Sequence, residues 1–348
     1  MRAALITGAR TVELLEFPAP TPAPGGVVVD VSFCGICGTD VHAFESGRPY
    51  TPAICGHEWA GVVSAVGGEV DSLQEGDRVV VGLPPACGTC DACSAGHARY
   101  CETAFRFARG RDELAPPHGG FAPQLAVSAQ RVIRAHDALT DEQLAQVEPA
   151  TIAYHAVARS RLRDGDLAVV QGAGPIGLAT MQWARDGGAG TIVVVEPDAA
   201  RRDLALALGA DAAVEPDDAA DTIAGCDRGL GADVVYECVG RPDTLQAAVD
   251  MARRGGAVCL IGLSSEPVTI DAGSWLVKEI TVTGSIAYVH ADFDHVMTAM
   301  AEGRVRLDEL HSLTVGLDGL ADALDDLAHG RTGQAKVLVN PNWSCASR

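Results

Sequence analysis

The sequence predicts an α/β protein in two parts, a β-rich lobe followed by a doubly wound parallel sheet. Three observations carry that reading. Short β-branched runs broken by Gly and Pro fill roughly the first 150 residues. From Thr151 onward, strands alternate with helices of apolar 3.6-residue spacing. The first of those strands, DLAVVQG (166–172), runs straight into the glycine fingerprint GAGPIG.

In the first part, VVVDVSF (27–33), WAGVVSAV (59–66) and DRVVVGL (77–83) read as strands, separated by turn sequences such as PAPGG and QEGD. ATIAYHAVARSRL then reads as a helix. Six strands follow: DLAVVQG, TIVVVEP (191–197), AAV (212–214), ADVVYECVG (232–240), GAVCLIGL (256–263) and EITVTGSIA (279–287). Helices such as PIGLATMQWARDGG, AARRDLALALGA and DTLQAAVDMARRGG supply the crossovers. After about residue 290 come two helical segments and a last strand, AKVLVN (335–340).

A chain of 348 residues is long enough for two domains and a core without staples. A formal net charge of -20, with no clustered Lys or Arg, argues against nucleic acid as a partner. No apolar run is long enough to span a bilayer, and the first residues lack the features of a secretory leader, so a cytoplasmic protein is expected. In such a compartment eleven cysteines read as metal or catalytic groups rather than disulfides.

Cys87, Cys90, Cys93 and Cys101 follow C-x2-C-x2-C-x7-C. Four thiolates so close fit a closed tetrahedral zinc site, with no open position and a structural role. An iron–sulfur cluster is the rival reading of the same spacing. The stretch FCGICGTDVH (33–42) carries a second C-x-x-C, with Thr39, Asp40 and His42 behind it. GHEWAG supplies His57 and Glu58, and VEPATIAYHA supplies Glu148 and Pro149. Alone, each residue has an ordinary structural explanation. Together Cys37, His57 and Glu148 offer one sulfur, one nitrogen and one oxygen, a three-ligand set that leaves a position open for catalysis.

Gly172, Gly174, Pro175, Ile176 and Gly177 lie between a strand and a helix, as a dinucleotide-binding turn requires. Glu196 ends the next strand, where a carboxylate accepts hydrogen bonds from ribose hydroxyls and repels a 2′-phosphate, which favours NAD. Arg201 and Arg202 leave NADP open, since an arginine in that loop can hold the phosphate or simply face solvent.

FCGICGTDVH, GHEWAGVV, the four-cysteine lobe, HGGFA (118–122), EPATIAYHA and GAGPIG occur in this order along essentially the whole chain. In this the chain resembles the zinc-dependent medium-chain dehydrogenase/reductase family, the zinc alcohol dehydrogenases. Its Glu-Pro at 148–149 is similar to the sorbitol, threonine and butanediol dehydrogenase branch. The resemblance implies a GroES-like catalytic domain over 1–150 and 288–348, with the zinc lobe at 87–101, and a Rossmann NAD-binding domain over 151–287. It implies two zinc ions per chain, one catalytic on Cys37, His57 and Glu148 and one structural on the four cysteines.

Glu58 is then the acid able to approach the catalytic metal. Thr39 is a first proton relay, His42 the proton exit, and Asp40 the acceptor for the second ring nitrogen of His57. Lys336 takes the place of a basic group near the cofactor phosphates, and Cys34 has no role. The activity implied is hydride transfer between a secondary alcohol, diol, polyol or cyclic sugar-like alcohol and NAD, in a homodimer or homotetramer. An NADPH-dependent carbonyl reductase and a non-catalytic zinc-stabilised nucleotide-binding protein are the alternatives. The charged segment FRFARGRDELAPPH (105–118), with Arg106, Arg109, Arg111, Asp112 and Glu113, reads as a solvated loop that can also line the pocket, as can AFESGRPY and residues 285–288.

Overall fold

A computed structural model describes residues 1–48, 55–226, 229–264, 266–331 and 335–343. The chain forms two compact units, one of Met1–Glu148, Val289–Ala301 and Leu307–Arg348, the other of Pro149–Tyr288 and Glu302–Arg306.

In the first unit, β1 (Arg2–Gly8) and β2 (Thr11–Glu16) form an antiparallel pair. The larger sheet is built on β3 (Gly26–Gly35), with β4 (Glu58–Val66), β5 (Arg78–Val81), β6 (Gln124–Ser128) and β7 (Val132–Arg134). Strand β3 is long enough to serve several partners. It pairs with β4 along most of its length and with β6 from Gly26 to Asp30. Register shifts at Val28/Val29 and Val31/Phe33 bend it, and Gly35 comes to lie opposite Glu58. Val27, Val29 and Val31 pack with Trp59, Val63, Phe121, Leu320 and Leu324 in the core of this unit.

The second unit carries β8 (Leu167–Gln171), β9 (Thr191–Val195), β10 (Ala212–Val214), β11 (Ala232–Glu237), β12 (Ala252–Leu260) and β13 (Thr281–Gly284). All pairings are parallel, in the order β10-β9-β8-β11-β12-β13. The order reverses direction between β8 and β11, which makes the end of β8 the switch point of a doubly wound fold. The central strands β8, β9 and β11 are almost wholly buried, and Val169, Val193, Val235 and Val258 form one core with Ile223 and Val249.

The chain then returns to the first unit with β14 (His311–Val315) and β15 (Lys336–Val339). Strand β15 lies antiparallel to β3, with Leu338 opposite Gly35 and Val339 opposite Cys34. The last strand thus joins the sheet where β3 ends. No helix among the described residues is long and apolar enough to cross a membrane.

An ion pair closes the outer edge of the parallel sheet. Asp211 Oδ2 accepts from the Ile192 amide at 2.7 Å and from Arg185 Nη2 at 2.5 Å. Burial works against its charge, but the Ile192 amide and Arg185 outweigh burial and hold the carboxyl below its ordinary value. Such a group stabilises the fold above the unfolded carboxylate pKa, and the contribution is lost as pH falls through the folded value. The pair is half exposed, so its worth is screened to about 0.5–1 kcal/mol. Asp211→Asn should therefore lower the urea midpoint at pH 7, and the gap to the parent should close on acidification, as read from paired unfolding curves.

Candidate active site

Strand β3 ends at Gly35, the chain turns through Ile36, and Cys37 caps the helix Gly38–Ser46. The Cys37 amide donates to Asp40 Oδ2 at 2.8 Å. The other oxygen of Asp40 accepts from the Gly56 amide at 3.0 Å. One buried carboxylate thereby ties the Cys37 turn to the turn that leads into His57. Burial pushes the Asp40 carboxyl above its usual value, while His57 and the two amides pull against that.

The Cys37 sulfur, a His57 ring nitrogen and a Glu58 carboxylate oxygen lie within 4.8 Å of one another. Glu148, in the first turn of the helix Val147–Arg159, is buried and acts electrostatically on His57. Burial alone would keep the imidazole neutral. Cys37, by its charge and a hydrogen bond, and then Glu148 and Asp40, outweigh burial and hold the His57 pKa well above its ordinary value. Convergent sulfur, nitrogen and oxygen donors with surplus negative charge fit a divalent zinc ion.

Thr39 is half-buried and His42 exposed, three residues apart on one helix and so on neighbouring turns of one face. Cys34 lies fully buried, its thiol donating to the Gly35 carbonyl, and desolvation first, then Asp40 and Glu58, push it well above its usual pKa. It stands apart from the donor set, as an inert core residue does.

Lys336, expected near the cofactor phosphates, is 2% exposed at the head of β15, with Nζ donating to Glu58 Oε2 and to the Ile36 carbonyl at 3.0 Å. Burial opposes its charge, and Glu58 first, then Cys37 and Glu148, raise its pKa regardless. Gly35 makes room for this pair, since a Cβ there would overlap the Glu58 carboxylate and lie 2.9 Å from Lys336 Cε. Every residue of this strand, KVLV, is buried, which leaves the lysine no route to solvent.

The four sulfurs of Cys87, Cys90, Cys93 and Cys101 lie within 4.8 Å of one another. Cys87 accepts from the Cys90 amide and Cys101 from the Cys87 amide, each at 3.3 Å. The Thr103 hydroxyl, then the amides of Thr89 and Cys90, bring the Cys87 thiol down to about 5. Desolvation first, then its neighbouring cysteines, push Cys93 up to about 12. Four thiols with opposed protonation tendencies in one cluster fit a bound cation that lets all four ionise. The role of Thr103 was not visible in the cysteine spacing.

In the second unit Gly172 has φ +95° and lies against Val239, Gly174 caps the helix Pro175–Asp186, and Pro175 takes its first turn. A Cβ at Gly177 would overlap the Gly172 carbonyl, so helix and turn meet only because Gly177 lacks a side chain. Ile176 follows Pro175 in the same first turn. Glu196 is buried, with Oε2 accepting from the Ala173 amide at 2.7 Å and Oε1 from the Asp198 amide at 3.0 Å. Arg202 is fully engaged by the carbonyls of Glu196 and Pro197 and by Glu215. The Arg201 amide donates to Asp198 as part of the next helix cap.

The segment 105–118 is not uniformly solvated. Asp112 is buried, accepts from the amides of Leu114 and Ser128, and lies 3.9 Å from Arg131. Pro49 and Tyr50 of AFESGRPY lie outside the described residues.

Comparison with known proteins matches residues 23–137 to the alcohol dehydrogenase GroES-like domain and residues 175–302 to the zinc-binding dehydrogenase domain. The sorbitol dehydrogenase of Bacillus subtilis (strain 168) is 31% identical over 350 residues, covering 98% of each chain. The crystal structure of 2R,3R-butanediol dehydrogenase from Bacillus subtilis aligns with TM-score 0.84 and 31% identity, over 98% of this chain and 99% of that one. A zinc-binding dehydrogenase of Sinorhizobium meliloti 1021, solved with NADP, aligns with TM-score 0.84 and 30% identity over 98% and 99%.

Asp40→Ala should strand two buried amides and loosen both turns of the donor set. The expected loss of stability is on the order of 3 kcal/mol. Release of metal to a chelator should quicken by about 10–100-fold. Thermal melting and a chromogenic chelator measure the two effects.

Proposed function

The chain belongs to the zinc-dependent alcohol dehydrogenase family, and from that premise we propose that it oxidises a secondary hydroxyl of a diol, polyol or cyclic sugar-like alcohol, with NAD as acceptor. The observation that carries this reading is the convergence of Cys37, His57 and Glu58 in a half-buried cluster, with Glu148 acting on the same imidazole. Cys37, His57 and Glu148 would hold the catalytic zinc, and Cys87, Cys90, Cys93 and Cys101 a second, structural one.

When bound, zinc supplies a Lewis acid that acidifies the substrate hydroxyl, and NAD supplies the hydride acceptor. The protein's part is to orient the carbinol carbon and to remove the proton. Thr39 accepts that proton through its hydroxyl and can donate its own onward. His42, exposed three residues further along the same helix, hands it to solvent. Asp40 fixes the turns that carry Cys37 and His57.

Gly172, Gly174 and Gly177 open the helix N-terminus to the pyrophosphate. NAD is favoured over NADP on two grounds. Glu196 is held beside the glycine turn as a carboxylate acceptor, and Arg202 is already spent on carbonyls and Glu215. The alternative NADPH-dependent reductase is kept in view by the relative solved with NADP. Strand β13 is the edge of its sheet, and Val282 and Ile286 are exposed there, which supports association of two copies through that edge.

Wild-type protein is expected to hold about two zinc ions per chain, and Cys37→Ser about one, with alcohol oxidation reduced by at least about 1000-fold. Metal analysis and NADH formation measure both, and an unchanged rate rejects the catalytic site. The specificity constant with NAD should exceed that with NADP by on the order of 100-fold, since a like charge at the 2′-position costs several kcal/mol. A panel of diols, polyols, inositol-like rings and simple secondary alcohols, scored by NADH formation, identifies the substrate.

A further inference from the structure

A cavity of about 670 Å³ lies in the second unit, lined by residues of the parallel sheet and of the helices Ala219–Cys226 and Thr244–Met251. Small-molecule sites are of this size. Much of its wall is apolar, with Val195, Ile223 and Ala247 among the lining residues. The charged lining residues are already engaged. Lys278 donates to the carbonyls of Val249, Asp250 and Ala252, Asp250 accepts from Gln246, and Arg254 lies 3.7 Å from Glu279.

Gln171 is different. It lines the same cavity and is 8% exposed, yet its Oε1 is closed off from water and has no hydrogen-bond partner among the described residues. A buried amide oxygen left unsatisfied costs stability, and a ligand that satisfies it recovers that cost on binding. The terminal torsion of glutamine is broad, so the amide can turn to meet such a ligand.

The place of Gln171 in the fold says what the ligand is. Gln171 and Val195 end β8 and β9 and lie opposite one another in register. Gln171 immediately precedes Gly172 of the glycine turn, and Val195 immediately precedes Glu196. A dinucleotide with its pyrophosphate at that turn and its ribose at Glu196 carries its base beside these two residues. Apolar walls hold any flat ring and do not tell one base from another. An amide does, since its one acceptor and one donor complement the amino group and N7 on one edge of adenine. Hypoxanthine shows two acceptors on that edge, so one of the two bonds is lost.

We propose that Gln171 selects adenine as the base of the cofactor, with Oε1 accepting from the 6-amino group and Nε2 donating to N7. This rests on the reading of the glycine turn and Glu196 as the nucleotide site.

The experiment measures binding of NAD and of nicotinamide hypoxanthine dinucleotide by calorimetry, on the full-length wild type and on Gln171→Met, with thermal melting in the absence of nucleotide. Wild type should bind NAD at least about fivefold more tightly than the hypoxanthine analogue. Gln171→Met should bind the two within about twofold of one another. Without nucleotide it should melt no lower than wild type, because it removes an amide that has no partner. A wild type that does not discriminate between the two bases overturns the proposal, whether or not the variant folds. So does a variant that keeps the wild-type ratio, or one that melts lower with the ratio unchanged, as a purely structural glutamine would. If NADP is the tighter ligand, NADP and its hypoxanthine analogue are compared and the same ratio decides. Protein that binds neither NAD nor NADP overturns the nucleotide reading and this role with it; protein that binds one of them without selecting the base overturns this role alone.

Discussion

The first unit is organised around a concentration of buried negative charge. Cys37, Asp40, Glu58 and Glu148 surround a single half-buried imidazole, with the three carboxyl groups themselves buried. Isolated anions are costly to desolvate, so such a cluster persists only with cations or dense hydrogen bonding. The structure uses every available device. Asp40 spends both oxygens on amides of the two ligand turns, Lys336 neutralises Glu58, and the remaining donors are left for a metal. The backbone is arranged accordingly: β3 is bent to bring Gly35 opposite Glu58, and the last strand of the chain is laid beside it to deliver Lys336.

The four-cysteine lobe meets the same constraint differently. Its donors come from one short loop, and the compensation is local, with amides of residues 87 and 90 and the Thr103 hydroxyl pointing at sulfur. It needs no distant strand to complete it. A loop with no buried side chain in its short helices has little core of its own, so metal and hydrogen bonds must supply what packing does not.

This difference governs what could be read from the sequence. The cysteine lobe, the glycine turn and the six parallel strands were legible because their signals are local: fixed spacing, or apolar runs between turns. Cys37, His57 and Glu148 could be grouped only through resemblance, since no periodicity links positions so far apart. The Lys336–Glu58 pair was illegible in kind, its members being 278 residues apart in the chain. Nor does composition tell a buried lysine from a solvated one. Asp112 teaches the same lesson, for it looked like an exposed charge and instead accepts from the Ser128 amide, which the fold brings near.

A buried ion pair is weak evidence of stability, because an apolar pair of equal volume often serves as well or better. The Lys336–Glu58 pair therefore calls for another explanation than holding the sheet together, which Val337, Leu338 and Val339 do as buried apolar residues of the same strand. Either member left without the other would be a buried, unpaired charge, so neither can be lost alone at small cost.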